Sequence, residues 1–199
     1  MQEVFHEAVN RLEKGESVVV ATVIRTKGST PQKPGAKLLV RQDGTGAGTL
    51  GGGCVEGDIW FAAKQLMQQG GEAEYREYEL NEELAAEDGL VCGGTMYFLI
   101  DPVYTPEDYL PYAREIDFAY KGEGAVALAT VIKSGNDGKS RIGDKLFIRE
   151  NGETEGTLGN LETDRGAIEK AKILMIHGRN EYVMTASGAE YFLEAYTTP

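Results

Sequence analysis

Cysteine, histidine, tryptophan and positive charge are all scarce in this sequence. With 2 Cys and 2 His in 199 residues, neither a disulfide framework nor a ligand-rich zinc centre is available. Cys54 and Cys92 show no CxxC spacing, and His6 and His177 stand alone on predicted helices. The 20 Lys+Arg are outnumbered by 32 Asp+Glu, for a formal charge of -12. Such a surface repels phosphodiester backbones and anionic lipid, so nucleic acid and membrane are excluded as expected partners. No apolar run approaches the roughly 18 residues needed to cross a bilayer, and the N-terminus lacks the basic-then-apolar layout of a secretory signal. The expected compartment is the cytoplasm. Thiols are reduced there, so the two cysteines serve either packing or chemistry.

What the sequence does contain is a duplication. Ala21-Thr22-Val23-Ile24 returns as Ala129-Thr130-Val131-Ile132, an offset of 108, and Gly48-Thr49-Leu50-Gly51 returns at the same offset as Gly156-Thr157-Leu158-Gly159. Between residues 17–70 and 125–178, 19 of 54 ungapped positions are identical, where chance gives about 3. Each copy reads alike. A helix (Val4 to Lys14; Pro106 to Tyr120, with Thr105 and Asp108 as a capping box) precedes a strand (Ser17 to Ile24; Ala125 to Ile132). A hairpin turn follows at Asp43-Gly44 or Asn151-Gly152. Then come a helix (Val55 to Gln69; Asp164 to His177) and two strands (Glu74 to Leu80 with Thr95 to Ile100; Glu181 to Thr185 with Glu190 to Ala195). The pattern predicts an α+β fold of two tandem modules, residues 1–104 and 105–199, each a mixed or antiparallel sheet with covering helices.

The differences between the copies point to chemistry. Gly52-Gly53-Cys54-Val55-Glu56 faces Asn160-Leu161-Glu162-Thr163-Asp164, and where the first copy has Gly89-Leu90-Val91-Cys92-Gly93-Gly94 the second offers only Ala186-Ser187-Gly188 or nearby residues. Cys54 falls where a glycine-rich loop enters a helix, so unpaired N–H groups and the positive helix end converge on it, a setting that favours an anion or a thiolate. A small buried residue under a tight turn is the competing account. Glu56, in the first turn of the same helix, either satisfies the helix end or holds the N–H groups of a ligand. The stiff segment Ser29 to Gly35 is also peculiar to the first copy, and Lys33 on it can meet an anion or simply decorate a surface turn. The acidic run Glu82, Glu83, Glu87 and Asp88 reads as a solvated face. Gly46-x-Gly48-x-x-Gly51 matches a dinucleotide fingerprint, but an Asp-Gly turn replaces the strand that the fingerprint needs.

Taken together, GSTPQKPGAKLLV (28–40), GTLGGGCVE (48–56) and GLVCGGTMYFLIDP (89–102) resemble the xanthine dehydrogenase accessory factor family, XdhC/CoxI. The resemblance implies an accessory protein that binds molybdenum cofactor transiently and helps sulfurate, protect or insert it during maturation of a molybdenum hydroxylase such as xanthine dehydrogenase or CO dehydrogenase. It implies a cofactor site at Gly51, Gly52, Gly53, Cys54, Glu56, Cys92, Gly93 and Gly94, with Lys33 as a contact. Cys54 and Cys92 would be the catalytic thiols or soft ligands to molybdenum. Family members usually carry a C-terminal Rossmann domain and none lies in these 199 residues. The resemblance implies a hydroxylase apoenzyme and a cysteine desulfurase as partners. Either a separate Rossmann-domain protein supplies the missing function or the chain is a reduced form. Exposed strand edges of an acidic α+β protein add a second copy of the chain as an expected partner. The rival expectation is an enzyme, a thiol-based sulfurtransferase or redox protein in which Cys54 attacks and Cys92 resolves.

Overall fold

The computed structural model describes residues 1–80 and 93–198. They form two compact units, Met1–Leu110 and Pro111–Pro199. The first holds α1 (Gln2–Leu12), β1 (Val18–Lys27), β2 (Lys37–Arg41), β3 (Gly46–Gly48), α2 (Gly53–Gln69), β4 (Glu74–Glu79) and β5 (Thr95–Val103). The second repeats the series. It has α3 (Leu110–Tyr120), β6 (Val126–Lys133), β7 (Lys145–Arg149), β8 (Thr154–Gly156), α4 (Leu161–His177), β9 (Asn180–Met184) and β10 (Glu190–Tyr196). Both sheets have five strands, in the orders β3-β2-β1-β5-β4 and β8-β7-β6-β10-β9. Every pairing is antiparallel, as expected of an α+β module built from hairpins. No described helix is long and apolar enough to cross a membrane.

The register explains the apolar sequence of β1. It lies between β2 and β5, with Ala21 opposite both Leu38 and Ile100, and both its faces are buried from Val18 to Ile24. A strand covered on both sides needs a continuous apolar run rather than alternation. On one face α2 packs Val55, Ile59 and Leu66 against Val19, Val23, Met96 and Phe98. On the other, Lys37 places its ammonium 5.9 Å from the Phe5 ring of α1 and 3.0 Å from the Thr22 hydroxyl. The Asp43-Gly44 hairpin forms as its sequence predicts. Asp43 Oδ1 accepts the Thr45 N–H at 2.9 Å, and the Trp60 indole N–H ties the turn to α2 through Gly44 O at 3.0 Å.

Three local expectations are corrected. The helix foreseen over 106–120 is a short 3₁₀ turn, Pro106–Asp108, followed by α3 from Leu110. Pro111 has no N–H to give and sits in a first helical turn, so the helix restarts beside it. The Thr105 side chain makes no capping bond. The helices foreseen from Val55 and Asp164 begin earlier, at Gly53 and Leu161, so Cys54 lies inside the first turn of α2.

Candidate functional site

The loop before α2 is held by a carboxylate that both modules share. Glu56 Oε2 accepts the Thr49 hydroxyl at 2.6 Å and the N–H groups of Leu50 and Gly52 at 2.7 and 3.1 Å. In the second module Asp164 accepts the Thr157 hydroxyl and the Leu158 N–H, both at 2.7 Å. Partial burial pushes the Glu56 carboxyl up, but the Thr49 hydroxyl and the loop N–H groups outweigh it and leave the group below its ordinary value. Its carboxylate is thus engaged by the loop's own donors, and the repetition marks this bracing as part of the common scaffold.

The helix start itself is where the modules part. Asn160 caps α4 in extended backbone, its side chain accepting the Thr163 N–H at 2.9 Å. At the matching place stands Gly52, with φ 75° and no side chain to cap with, followed by Gly53 at φ 67°. A Cβ on either glycine would meet nothing within 4 Å, so these glycines serve a left-handed backbone beside open space rather than tight packing. The first-turn N–H groups of a helix have no intrahelical acceptor. Here they sit beside Gly53 and Cys54, both exposed. The Cys54 thiol is free and exposed rather than buried under a tight turn.

The other glycines bring the three sequence motifs to one end of the first module. A Cβ on Gly51 would lie 2.7 Å from Pro31 Cβ, so the 29–35 segment rests on the loop. One on Gly94 would lie 2.3 Å from Ser29 O and 2.6 Å from Lys27 O. Gly94 is buried there and accepts the Leu80 N–H at 2.9 Å, while Gly93 is exposed. Lys33 is exposed on the same segment. Cys92 lies outside the described residues, as does the acidic run from Glu82 to Asp88. Among the described residues no group of three or more His, Cys, Asp or Glu is arranged to hold a metal ion.

Two side chains at this end escaped the sequence-based site. Tyr78, on the edge strand β4, donates to Asp58 Oδ2 at 2.9 Å. Its phenol is pushed up to about 12, by burial first, then by the hydrogen bond to Asp58 and by the charges of Asp58 and Cys54. Asp58 lies one helical turn beyond Cys54, so both project from one face of α2. The available signal for Asp58 was the repeat, in which it faces Gly166; Tyr78 gains a counterpart, Thr185, only through the strand register of the structure. Tyr78 was missed because the ungapped repeat ends before β4.

A family model, "XdhC and CoxI family", matches this chain twice, at residues 11–79 and 119–186, together more than half its length. The chain belongs to the XdhC and CoxI family. Both modules are XdhC/CoxI repeats, and the second retains the fold without the glycine-thiol loop. Among relatives, a molybdenum cofactor insertion chaperone of Escherichia coli, PaoD, is 36% identical over 69 residues, covering 35% of this chain and 22% of that protein. A protein of Bacillus subtilis named as a probable xanthine dehydrogenase subunit is 30% identical over 151 residues, covering 74% of this chain and 42% of that protein. The crystal structure of a Bacillus halodurans xanthine dehydrogenase shares the fold with a TM-score of 0.61 at 21% identity, over 96% of this chain and 53% of that one. The XdhC/CoxI chain thus spans about half or less of these relatives.

Proposed function

We propose that this protein is an accessory factor that binds molybdenum cofactor and passes it to a molybdenum hydroxylase during maturation of that enzyme. One observation carries the reading: the same helix start is closed by its own Asn160 side chain in the second module and left open, beside an exposed thiol, in the first. Family membership and the name of the Escherichia coli relative support it.

The residues at this end fit such a cargo. Bound there, the cofactor supplies a thiophilic molybdenum centre and an anionic phosphate on a pterin. Cys54 offers the soft sulfur donor that such a metal prefers. The N–H groups at the start of α2 offer hydrogen bonds and the positive helix end to the phosphate, and Lys33 adds an exposed cation. Gly52 and Gly53 keep side chains out of the approach. Glu56 holds the loop in shape, so its contribution to binding runs through Gly51 and Gly52 rather than through direct contact. Gly94 packs against the main chain of Ser29 and Lys27, and in this reading Cys92 is the second thiol of the site.

Binding is transient, since delivery needs release to a hydroxylase apoenzyme. A cysteine desulfurase, a Rossmann-domain protein and a second copy of the chain are the further partners this role calls for, in the cytoplasm. The test is purification from cells that make molybdenum cofactor, with the pterin and the metal measured in the isolated protein. Wild type retains both, and Cys54→Ala and Cys92→Ala each retain less. Equal retention by all three proteins, or none by wild type, overturns the proposal.

A further inference from the structure

The exposed end of α2 presents a carboxylate as well as a thiol. Tyr78 donates to Asp58 Oδ2 at 2.9 Å, and Asp58 is exposed. The phenol comes from a different element, the edge strand, so the hydrogen bond fixes the carboxylate's direction relative to the helix. The duplication supplies an independent comparison. The second module keeps the bracing pair Thr157 and Asp164 in place of Thr49 and Glu56. It has Glu162 for Cys54, Gly166 for Asp58 and Thr185 for Tyr78. Thiol, carboxylate and phenol therefore differ as a set over a scaffold that does not. The sister module has the same strand order without them.

We propose that Asp58, oriented by Tyr78, is a specificity-determining residue of the Cys54 site and accepts hydrogen bonds from the N–H edge of a bound amino-pyrimidine heterocycle. The inference rests on the function proposed above. A pterin presents a ring N–H and an exocyclic amino group side by side, and a carboxylate is the side chain that accepts from such a pair with the strongest bonds. The site then divides its work. Soft sulfur takes the metal end, helix N–H groups take the phosphate, and Asp58 reads the ring. Tyr78 is a positioning residue that acts through Asp58.

Two probes separate these parts in the full-length protein: molybdenum cofactor released from a molybdenum hydroxylase, and tetrathiomolybdate, which offers the metal without a heterocycle. Dissociation constants are measured by equilibrium dialysis with wild type, Asp58→Asn, Tyr78→Phe and Cys54→Ala, each checked for native circular dichroism. Asp58→Asn weakens binding of the complete cofactor by about tenfold or more, the usual effect of losing a hydrogen bond to a charged group, and leaves tetrathiomolybdate unchanged. Tyr78→Phe gives a smaller loss of the same kind, and Asp58→Glu, measured alongside, loses less than Asp58→Asn. Cys54→Ala weakens both probes. If Asp58→Asn binds the cofactor as wild type does, or loses both probes equally, the inference is overturned while the proposed function stands. If wild type binds neither probe, the proposed function fails and the inference falls with it.

Discussion

Gly94 is walled in by main chain: the carbonyl oxygens of Ser29 and Lys27 occupy the place where a side chain would begin. Backbone cannot swing aside as a flexible side chain can, so Gly94→Ala is expected to cost about 2 kcal/mol or more, read as a lower thermal midpoint. Gly52→Ala raises a different penalty. Space is free there, and the cost comes from forcing a residue with a Cβ to φ 75° and ψ -170°, a region kept almost wholly for glycine, about 1–3 kcal/mol. Its larger effect is expected on the loop around Cys54. The exposed thiol of Cys54 predicts rapid native-state alkylation by iodoacetamide, at a rate within about tenfold of that in the urea-unfolded chain. Protection by several orders of magnitude would contradict the exposed placement.

Helices dock onto the sheets through a pair that both modules repeat. Glu7 of α1 meets Arg41 of β2 at 2.6 Å, and Glu115 of α3 meets Arg149 of β7 at the same distance, positions again 108 apart. Both pairs are only partly exposed, so Glu7→Gln and Glu115→Gln should each cost about 1 kcal/mol, by similar amounts, in denaturant unfolding. The loop before α2 carries a pH signature. Because Glu56 titrates below its ordinary value when folded, its stabilisation is complete above the unfolded pKa of about 4.3 and is lost as pH falls through the lower folded value. Glu56→Gln is therefore less stable than wild type at pH 7, by about 1–3 kcal/mol, and the gap narrows on acidification below pH 4. A gap independent of pH would show that the carboxylate charge is not what braces the loop. At this scale the elements were largely legible, since apolar β1, the Asp43-Gly44 turn and the Gly-Thr-Leu-Gly approach to α2 are all local signals. Element starts were less so. Helix onset at Gly53 has no side-chain cap to announce it, and the restart at Leu110 depends on where Pro111 falls.

As a whole, the molecule is one module written twice and diverged once. Matching strand orders and the coincident bounds of α1 with α3, β2 with β7 and α2 with α4 show that the fold stands with or without the glycine-thiol loop. The repeat itself could be read from residues 17–70 against 125–178, and with it the contrast at Cys54. Tyr78 could not, because its link to Asp58 joins an edge strand to a helix across 20 residues of chain. Nor could the two uses of glycine be told apart, since close approach at Gly94 and open left-handed backbone at Gly52 look identical as letters. The central claim, that the first module alone keeps a cargo site, is tested most directly by measuring molybdenum bound per chain after purification from cofactor-producing cells. Wild type, Cys54→Ala and Glu162→Ala, the matching change in the second module, are to be compared. The account predicts that wild type and Glu162→Ala carry the metal equally and Cys54→Ala loses most of it. Equal loading of all three, or loss on changing Glu162 alone, would contradict it.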